Sequence, residues 1–240
     1  LANDFFQFQQ FRIEQGHCAQ KVSTDACLLG AAADLSGATR VLDIGTGTGL
    51  LALMVAQRAP TARVEAIELD ATTAAQAAAN VAASPWAGRV AVHPLSLAAY
   101  AASQPGLFSH IICNPPFFRR SLAPPNAARA AARHEGTNSL TFEELAGFAA
   151  AHLQPGGALT VLLPPPEMQQ FAQVARAAGL AVQARLAVQH RLGGRTTRSI
   201  WRFGAGAPAS LPDNTLTIQE ADGQYSPAFR QLLSGFYLAL

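Results

Sequence analysis

Lysine is almost absent from this chain. Of seventeen basic side chains only Lys21 is a lysine, and the rest are arginine. Cysteine is also scarce: Cys18, Cys27 and Cys113 form no CxxC pair and are odd in number. That excludes a closed disulfide framework, argues against a zinc site and suits a reducing, cytoplasmic compartment. The six histidines are scattered without ligand spacing, so no metal is expected. No apolar run approaches the ~20 residues of a membrane span. The opening LANDFFQFQQF has neither a basic nor an apolar stretch of the secretory kind, so no signal peptide is expected.

Acidic residues are missing over two long stretches. None falls between Asp70 and Glu135, a span that holds Arg89, Arg119, Arg120, Arg129 and Arg133. None falls between Glu167 and Asp213 either, where Arg176, Arg185, Arg191, Arg195, Arg198 and Arg202 lie. Arginine forks suit phosphates, and their flat faces stack on bases. A coding bias toward Arg and Ala produces the same composition, so the clustering carries this reading rather than the count.

What is present is a rhythm of strands and helices. RVLDI at 40–44 reads as a buried strand, followed by GTGTG and the apolar helix LLALMVAQRA. RVEAIEL at 63–69 is a second strand, after which Asp70 caps the helix ATTAAQAAANVAAS. RVAVH at 89–93 and LFSHIIC at 107–113 are the third and fourth strands. TFEELAGFAAAHL is an amphipathic helix, GGALTVLLP at 156–164 a fifth strand and EMQQFAQVARAAG a further helix. LAVQARLAVQH and TTRSIWRFG read as an antiparallel pair joined by RLGGR. LTIQEADG reads as a short strand and turn, and SPAFRQLLSGFYLAL as a terminal helix. The alternation predicts one α/β domain: a mostly parallel twisted sheet, a late antiparallel hairpin, and helices on both faces.

In such sheets ligands sit beyond the carboxyl ends of the strands. VLDIGTGTGLLAL puts Gly45, Gly47 and Gly49 there, at a helix N-terminus. A glycine turn alone is weak evidence, because dinucleotide enzymes use one too. Asp43 discriminates, since a carboxylate two residues before the first glycine repels a pyrophosphate and attracts an ammonium group. That favours S-adenosylmethionine, with Thr46 and Leu69 among the neighbouring contacts and Glu68 accepting hydrogen bonds from the ribose hydroxyls. Glu68 alone does not discriminate, because NAD enzymes place an acid there as well.

CNPPFF at 113–118 ends the fourth strand abruptly. Two prolines cannot continue a central strand, so the chain leaves as a stiff turn with the Asn114 amide at its corner. LDIGTGTGLLAL, ELD and this Asn-Pro-Pro-aromatic turn together resemble methyltransferases that act on planar exocyclic nitrogens. More narrowly, FFQFQQFRIEQGHCAQKVSTDACLLGAAA and ADGQYSPAFRQLLSGFYL resemble the two ends of bacterial tRNA1(Val) (adenine(37)-N6)-methyltransferases. The likeness covers essentially the whole chain.

That resemblance implies a Rossmann-like class I methyltransferase fold and a tRNA substrate. It implies residues 1–36 as a segment covering the cofactor, 37–204 as the core and 205–240 as a tail. Lys21 and Thr24 become candidates for polar cofactor contacts or for ordering the cover, with a capped helix and a structural Asp25 as the alternative. The third strand of such enzymes ends on an acid facing the adenine of the cofactor; here that place holds Ser96. Asn114 and the Pro115 carbonyl would accept both hydrogens of the target amine, Pro116 would stiffen the turn, and Phe117 would stack on the base. Arg119, Arg120, Arg191, Arg195 and Arg198 would meet RNA phosphates. The turn by itself does not separate an adenine amine from a glutamine side-chain amide. A non-catalytic cofactor-binding subunit is disfavoured because the glycines and the Asn-Pro-Pro turn are intact.

Overall fold

The computed structural model describes residues 4–16, 18, 21–115, 140–206, 210–211 and 213–239. An antiparallel hairpin, β1 (Phe5–Gln7) and β2 (Arg12–Glu14), precedes α1 (Thr24–Ala32). The core then runs β3 (Arg40–Ile44), α2 (Leu50–Arg58), β4 (Arg63–Ile67), α3 (Ala71–Ala82), β5 (Val90–His93), α4 (Leu97–Ala102) and β6 (Phe108–Cys113). It continues through α5 (Phe142–His152), β7 (Leu153–Leu163), α6 (Pro165–Ala177), β8 (Ala181–Arg191), β9 (Thr196–Gly204), β10 (Asp213–Gln219) and α7 (Pro227–Leu233).

Eight strands form one sheet in the order β10-β8-β9-β7-β6-β3-β4-β5. β9 is antiparallel to both neighbours, and every other pairing is parallel, so β9 alone runs against the rest. The mostly parallel sheet and the late hairpin agree with the sequence. Three features go beyond it. β10 joins β8 as a parallel edge strand. The N-terminal residues form a hairpin rather than irregular chain. The final helix is only seven residues long, giving way to a turn near Gly235.

Strand alternation divides the core between the two faces of the sheet. Val41, Val64, Ala66, Ile112 and Leu162 pack with α1, α2 and the N-terminal hairpin. Leu42, Ile44, Ile111, Leu159 and Val161 pack under α4, α5 and α6. Each buried Val, Leu or Ile among them contributes roughly 1.5–3 kcal/mol. Helix starts are fixed locally: Ser23, Asp70, Ser96 and Ser226 cap with their side chains, and Thr141 with Glu144 completes a capping box.

Several arginines that the sequence offered as a basic surface serve the fold instead. Arg89 donates to the Ala56, Ala59 and Ala62 carbonyls at the end of α2. Arg202 pairs with Asp34, and Arg185 lies over the Trp201 ring.

Inside the sheet, His110 is 3% exposed and its Nε2 is 3.0 Å from Thr160 Oγ1. Burial, aided by Arg202, lowers its pKa from the ordinary 6.5 to about 4. The unfolded chain therefore binds this proton more readily than the fold does. Stability from the neutral ring is complete above about pH 6.5 and is lost as pH falls through about 4. Thermal melts should show a midpoint that drops between pH 6.5 and 4, with a smaller drop in His110→Gln.

Candidate active site

The register brings the two sequence motifs together. Ile44 of β3 is opposite Cys113 of β6. The glycine turn and the Asn-Pro-Pro turn therefore leave adjacent strands at the same level, roughly 4.8 Å apart in the sheet.

On the β3 side the chain folds back tightly. Gly45 and Gly47 have φ of 72° and 57°, and a Cβ built on either meets nothing within 4 Å. Glycine is favoured there by conformation, and the space above both backbones is open. The Gly45 and Thr46 amides both donate to the Ile67 carbonyl at 3.0 Å, tying the turn to the end of β4. Gly49 caps α2 through its backbone.

Asp43 is completely buried beneath this turn. Its Oδ2 accepts from Thr46 Oγ1 at 2.5 Å and from the Ala52 amide at 3.1 Å. Its Oδ1 is buried and has no donor among the described residues. Burial raises its pKa from 3.8 to about 7, against the lowering by those two donors. A cationic group reaching this acceptor would hold Asp43 ionised.

Glu68 follows β4 and orders the same loop. Its two oxygens accept from the Gly47 amide at 3.0 Å and the Asp70 amide at 3.1 Å. Each oxygen keeps a further lone pair for a ligand hydroxyl. Leu69 beside it is 42% exposed, and Asp70 caps α3 as the sequence suggested. The Ser96 hydroxyl caps α4 by accepting from the Ala99 amide at 3.1 Å, which leaves its hydrogen and one lone pair for a ligand.

On the β6 side Asn114 is half-buried, yet its Oδ1 is fully buried and no described residue donates to it. Most buried acceptors in native folds are satisfied, so one unmatched among the described residues at the end of a central strand is a candidate site feature. Pro115 behind it is buried. Pro116, Phe117, Arg119 and Arg120 lie outside the described residues.

Lys21 is exposed, and Thr24 is the first residue of α1, capped by Ser23. Asp25 bonds Arg198 Nε at 2.7 Å, so that arginine joins β9 to α1. Arg191 and Arg195 are exposed on the β8–β9 turn and have no side-chain partner among the described residues. Leu163 opposite Ser199, and Gln189 opposite Thr196, put this turn at the same sheet edge as Asn114. β9 and β8 are two and three strands from β6, roughly 10 and 15 Å away.

One residue escaped the sequence reading. Asn80 of α3 is 2% exposed and bonds both Glu14 of the N-terminal hairpin and Thr48 of the glycine turn. Its only sequence signal is an amide, one of two with Gln76, in an alanine-rich helix.

Comparison with known proteins agrees with this geometry. Residues 17–171 match the methyltransferase small domain. Among solved structures, a predicted O-methyltransferase from Agrobacterium tumefaciens superposes with a TM-score of 0.66 at 23% identity, covering 88% of this chain and 96% of that one. A ribosomal protein L11 methylase from Lactobacillus delbrueckii subsp. bulgaricus gives 0.55 at 17% identity, covering 80% and 83%. These show the fold, a Rossmann-like class I methyltransferase. Sequence relatives are far nearer. The tRNA1(Val) (adenine(37)-N6)-methyltransferase of Bacteroides thetaiotaomicron is 40% identical over 100% of both chains. That of Dyadobacter fermentans is 40% identical over 98% of both, and that of Pseudoalteromonas translucida 39% over 98% and 99%. With identity of this order sustained from end to end, the chain belongs to the tRNA1(Val) (adenine(37)-N6)-methyltransferase family.

Proposed function

We propose that this chain methylates N6 of an adenine in tRNA, at position 37 of tRNA1(Val), using S-adenosylmethionine in the cytoplasm. The observation that carries the reading is the Asn114 side-chain oxygen, buried without a donor among the described residues one strand away from the glycine turn. S-adenosylmethionine, when bound, supplies an electrophilic methyl group on a sulfonium centre.

The residues present fit that cofactor. Asp43 Oδ1 has no donor among the described residues and suits an ammonium group, and the open backbone at Gly45 and Gly47 gives close approach. Thr46 and Gly49 hold the turn, Glu68 receives ribose hydroxyls, and Leu69 and Ser96 border the adenine. Lys21 and Thr24 belong to the segment through residue 36, which covers the site.

On the substrate side, the N6 lone pair of adenine is delocalised into the ring and is a poor nucleophile. Asn114 Oδ1 and the Pro115 carbonyl each accept one N6 hydrogen, which draws the nitrogen toward tetrahedral geometry and frees the lone pair. Holding these acceptors on a proline-stiffened turn is preorganisation, since no reorientation is needed during reaction. The extra proton leaves to water after transfer, so no base is assigned. A base in a tRNA loop is already partly unstacked, which lowers the cost of bringing it to Asn114.

The test is incubation of the protein with labelled methyl donor and total tRNA from a strain lacking it, then nucleoside mass spectrometry. Label in N6-methyladenosine is expected, and nuclease mapping of purified tRNA1(Val) should place it at position 37. Label in polypeptide would replace this reading with methylation of a glutamine amide.

Arg191 and Arg195 are the exposed cations on the hairpin at this edge, and they contact tRNA phosphates. Replacing both by alanine should weaken tRNA binding and reduce the slope of log affinity against log salt by about 1.5, for two lost phosphate contacts. Filter binding between low and moderate salt measures it. An unchanged slope would remove this hairpin from the interface. Arg198→Ala should act differently, because its partner is Asp25, and should lower stability more than the salt slope.

A further inference from the structure

We infer that Asn80 is a positioning residue that locks the N-terminal hairpin onto the glycine turn, so that the methyl donor meets the two as one body. The inference rests on the proposed cofactor site and adds to it a residue that touches no substrate.

Both polar atoms of the Asn80 amide are engaged. Nδ2 donates to the Glu14 carbonyl at 2.8 Å and to the Thr48 carbonyl at 2.9 Å, and Oδ1 accepts from the Glu14 amide at 2.9 Å. Glu14 belongs to β2, and Thr48 stands between Gly47 and Gly49. One buried side chain therefore satisfies both backbone groups of a strand residue and one carbonyl of the turn. Aspartate cannot do this: at neutral pH it has no hydrogen to give and would face two carbonyl oxygens.

The clamp extends toward the ligand side. Gln15, next to Glu14, is 5% exposed and accepts from the Val22 amide at 2.8 Å through Oε1, closing the stretch between them. Within that stretch Cys18 is buried and close enough to Glu68 and Asp70 for both carboxylates to act on its thiol. The hairpin is held from its other side as well. The Gln9 amide donates to the Phe236 carbonyl at 2.8 Å, and Gln9 Nε2 to the Ser234 and Tyr237 carbonyls. Asn80 is where this anchored layer meets the cofactor turn.

The experiment uses full-length protein and S-adenosylhomocysteine as probe, measured by calorimetry, with hydrogen exchange on the ligand-free protein. Asn80→Ala and Asn80→Asp should each weaken binding by about 10–100-fold, as expected for loss of two or three buried hydrogen bonds. Exchange should quicken at residues 12–16 and 46–50, while β3, β6 and β7 stay protected. A mere loss of stability would raise exchange throughout and leave the affinity of the folded fraction unchanged.

Glu14→Pro removes the amide hydrogen that Asn80 Oδ1 accepts, but also the carboxylate and the freedom of φ at this strand position. Glu14→Ala therefore controls for the lost carboxylate, and retained protection of β1 in hydrogen exchange controls for the backbone. Glu14→Pro should weaken binding while Glu14→Ala does not, and combining Glu14→Pro with Asn80→Ala should add little. Wild-type affinity in Asn80→Ala, or fully additive losses in the double variant, would overturn the inference. Failure of the unmutated protein to bind the probe would instead overturn the cofactor reading beneath it.

Discussion

Asn114→Ala is expected to lose methyl transfer by on the order of 10²–10³-fold, the scale on which removing one preorganised polar partner acts. Binding of S-adenosylhomocysteine should stay within a few-fold of wild type, because Asp43 and the glycine turn on the neighbouring strand are intact. The variant should also be no less stable. Asn114 Oδ1 is buried with no described donor, a situation that costs a fold about 1–3 kcal/mol. A substitution that removes the oxygen removes that penalty. Single-turnover kinetics beside a thermal melt would separate the readings. Loss of rate with an unchanged or raised midpoint supports a site residue, and a falling midpoint with preserved rate would mark Asn114 as a strand terminator. Native folds tolerate such unfavourable groups where activity needs them.

Asp43 gives the second large effect, through pH. Its buried carboxyl has a pKa of about 7 in the ligand-free protein, so it is half protonated near neutrality. Because this value is raised above the unfolded one, its contribution to stability is complete below about pH 4 and is lost as pH rises through 7. An ammonium ligand reverses the preference by pairing with the carboxylate. Binding below pH 7 must then expel a proton, and affinity should rise about twentyfold from pH 5.5 to 7.5 and flatten above. Asn cannot ionise, so Asp43→Asn should bind about a hundredfold more weakly at pH 7.5, for loss of a charge-assisted bond. Its affinity should vary little with pH. Titration calorimetry in buffers of differing ionisation heat would count the released proton. Equal pH profiles in the two proteins would remove Asp43 from the ammonium site. The dependence is opposite to that of His110, whose neutral ring favours the fold at higher pH.

The strand ends and the glycine turn were legible in the sequence because each depends on local rules. Proline cannot remain in a central strand, and a chain that turns with positive φ at Gly45 and Gly47 selects glycine. Helix starts were legible at Asp70 and Thr141 for the same reason. What stayed hidden depends on partners far away in the chain. LTIQ has strand-like alternation, but nothing local says that it lies parallel to β8 rather than forming another hairpin. FFQFQQF is a hairpin because Phe8 and Phe11 stack and are buried, with Trp86 edge-on to Phe11. Arg198 and Arg202 read as cations in an acid-free stretch, yet their carboxylates come from Asp25 and Asp34, far upstream. The sequence assigns Ser96 the place at the end of the third strand; β5 stops at His93 and Ser96 instead caps α4, a six-residue helix too short to announce itself. Composition overstated the basic surface. Charge in a sequence becomes charge at a surface only after nearby carbonyls and acids have taken their share.

The Gln9 contacts have a consequence for biosynthesis. Gln9 Nε2 bonds the Ser234 carbonyl, a partner 225 positions later in the chain. A ribosome delivers Gln9 long before Ser234, so the hairpin waits through synthesis of the intervening sheet before this far anchor emerges. A nascent chain halted just after β10 would already own all eight strands of the described sheet and the Asn80 contacts, and still lack the Gln9 anchor of the hairpin.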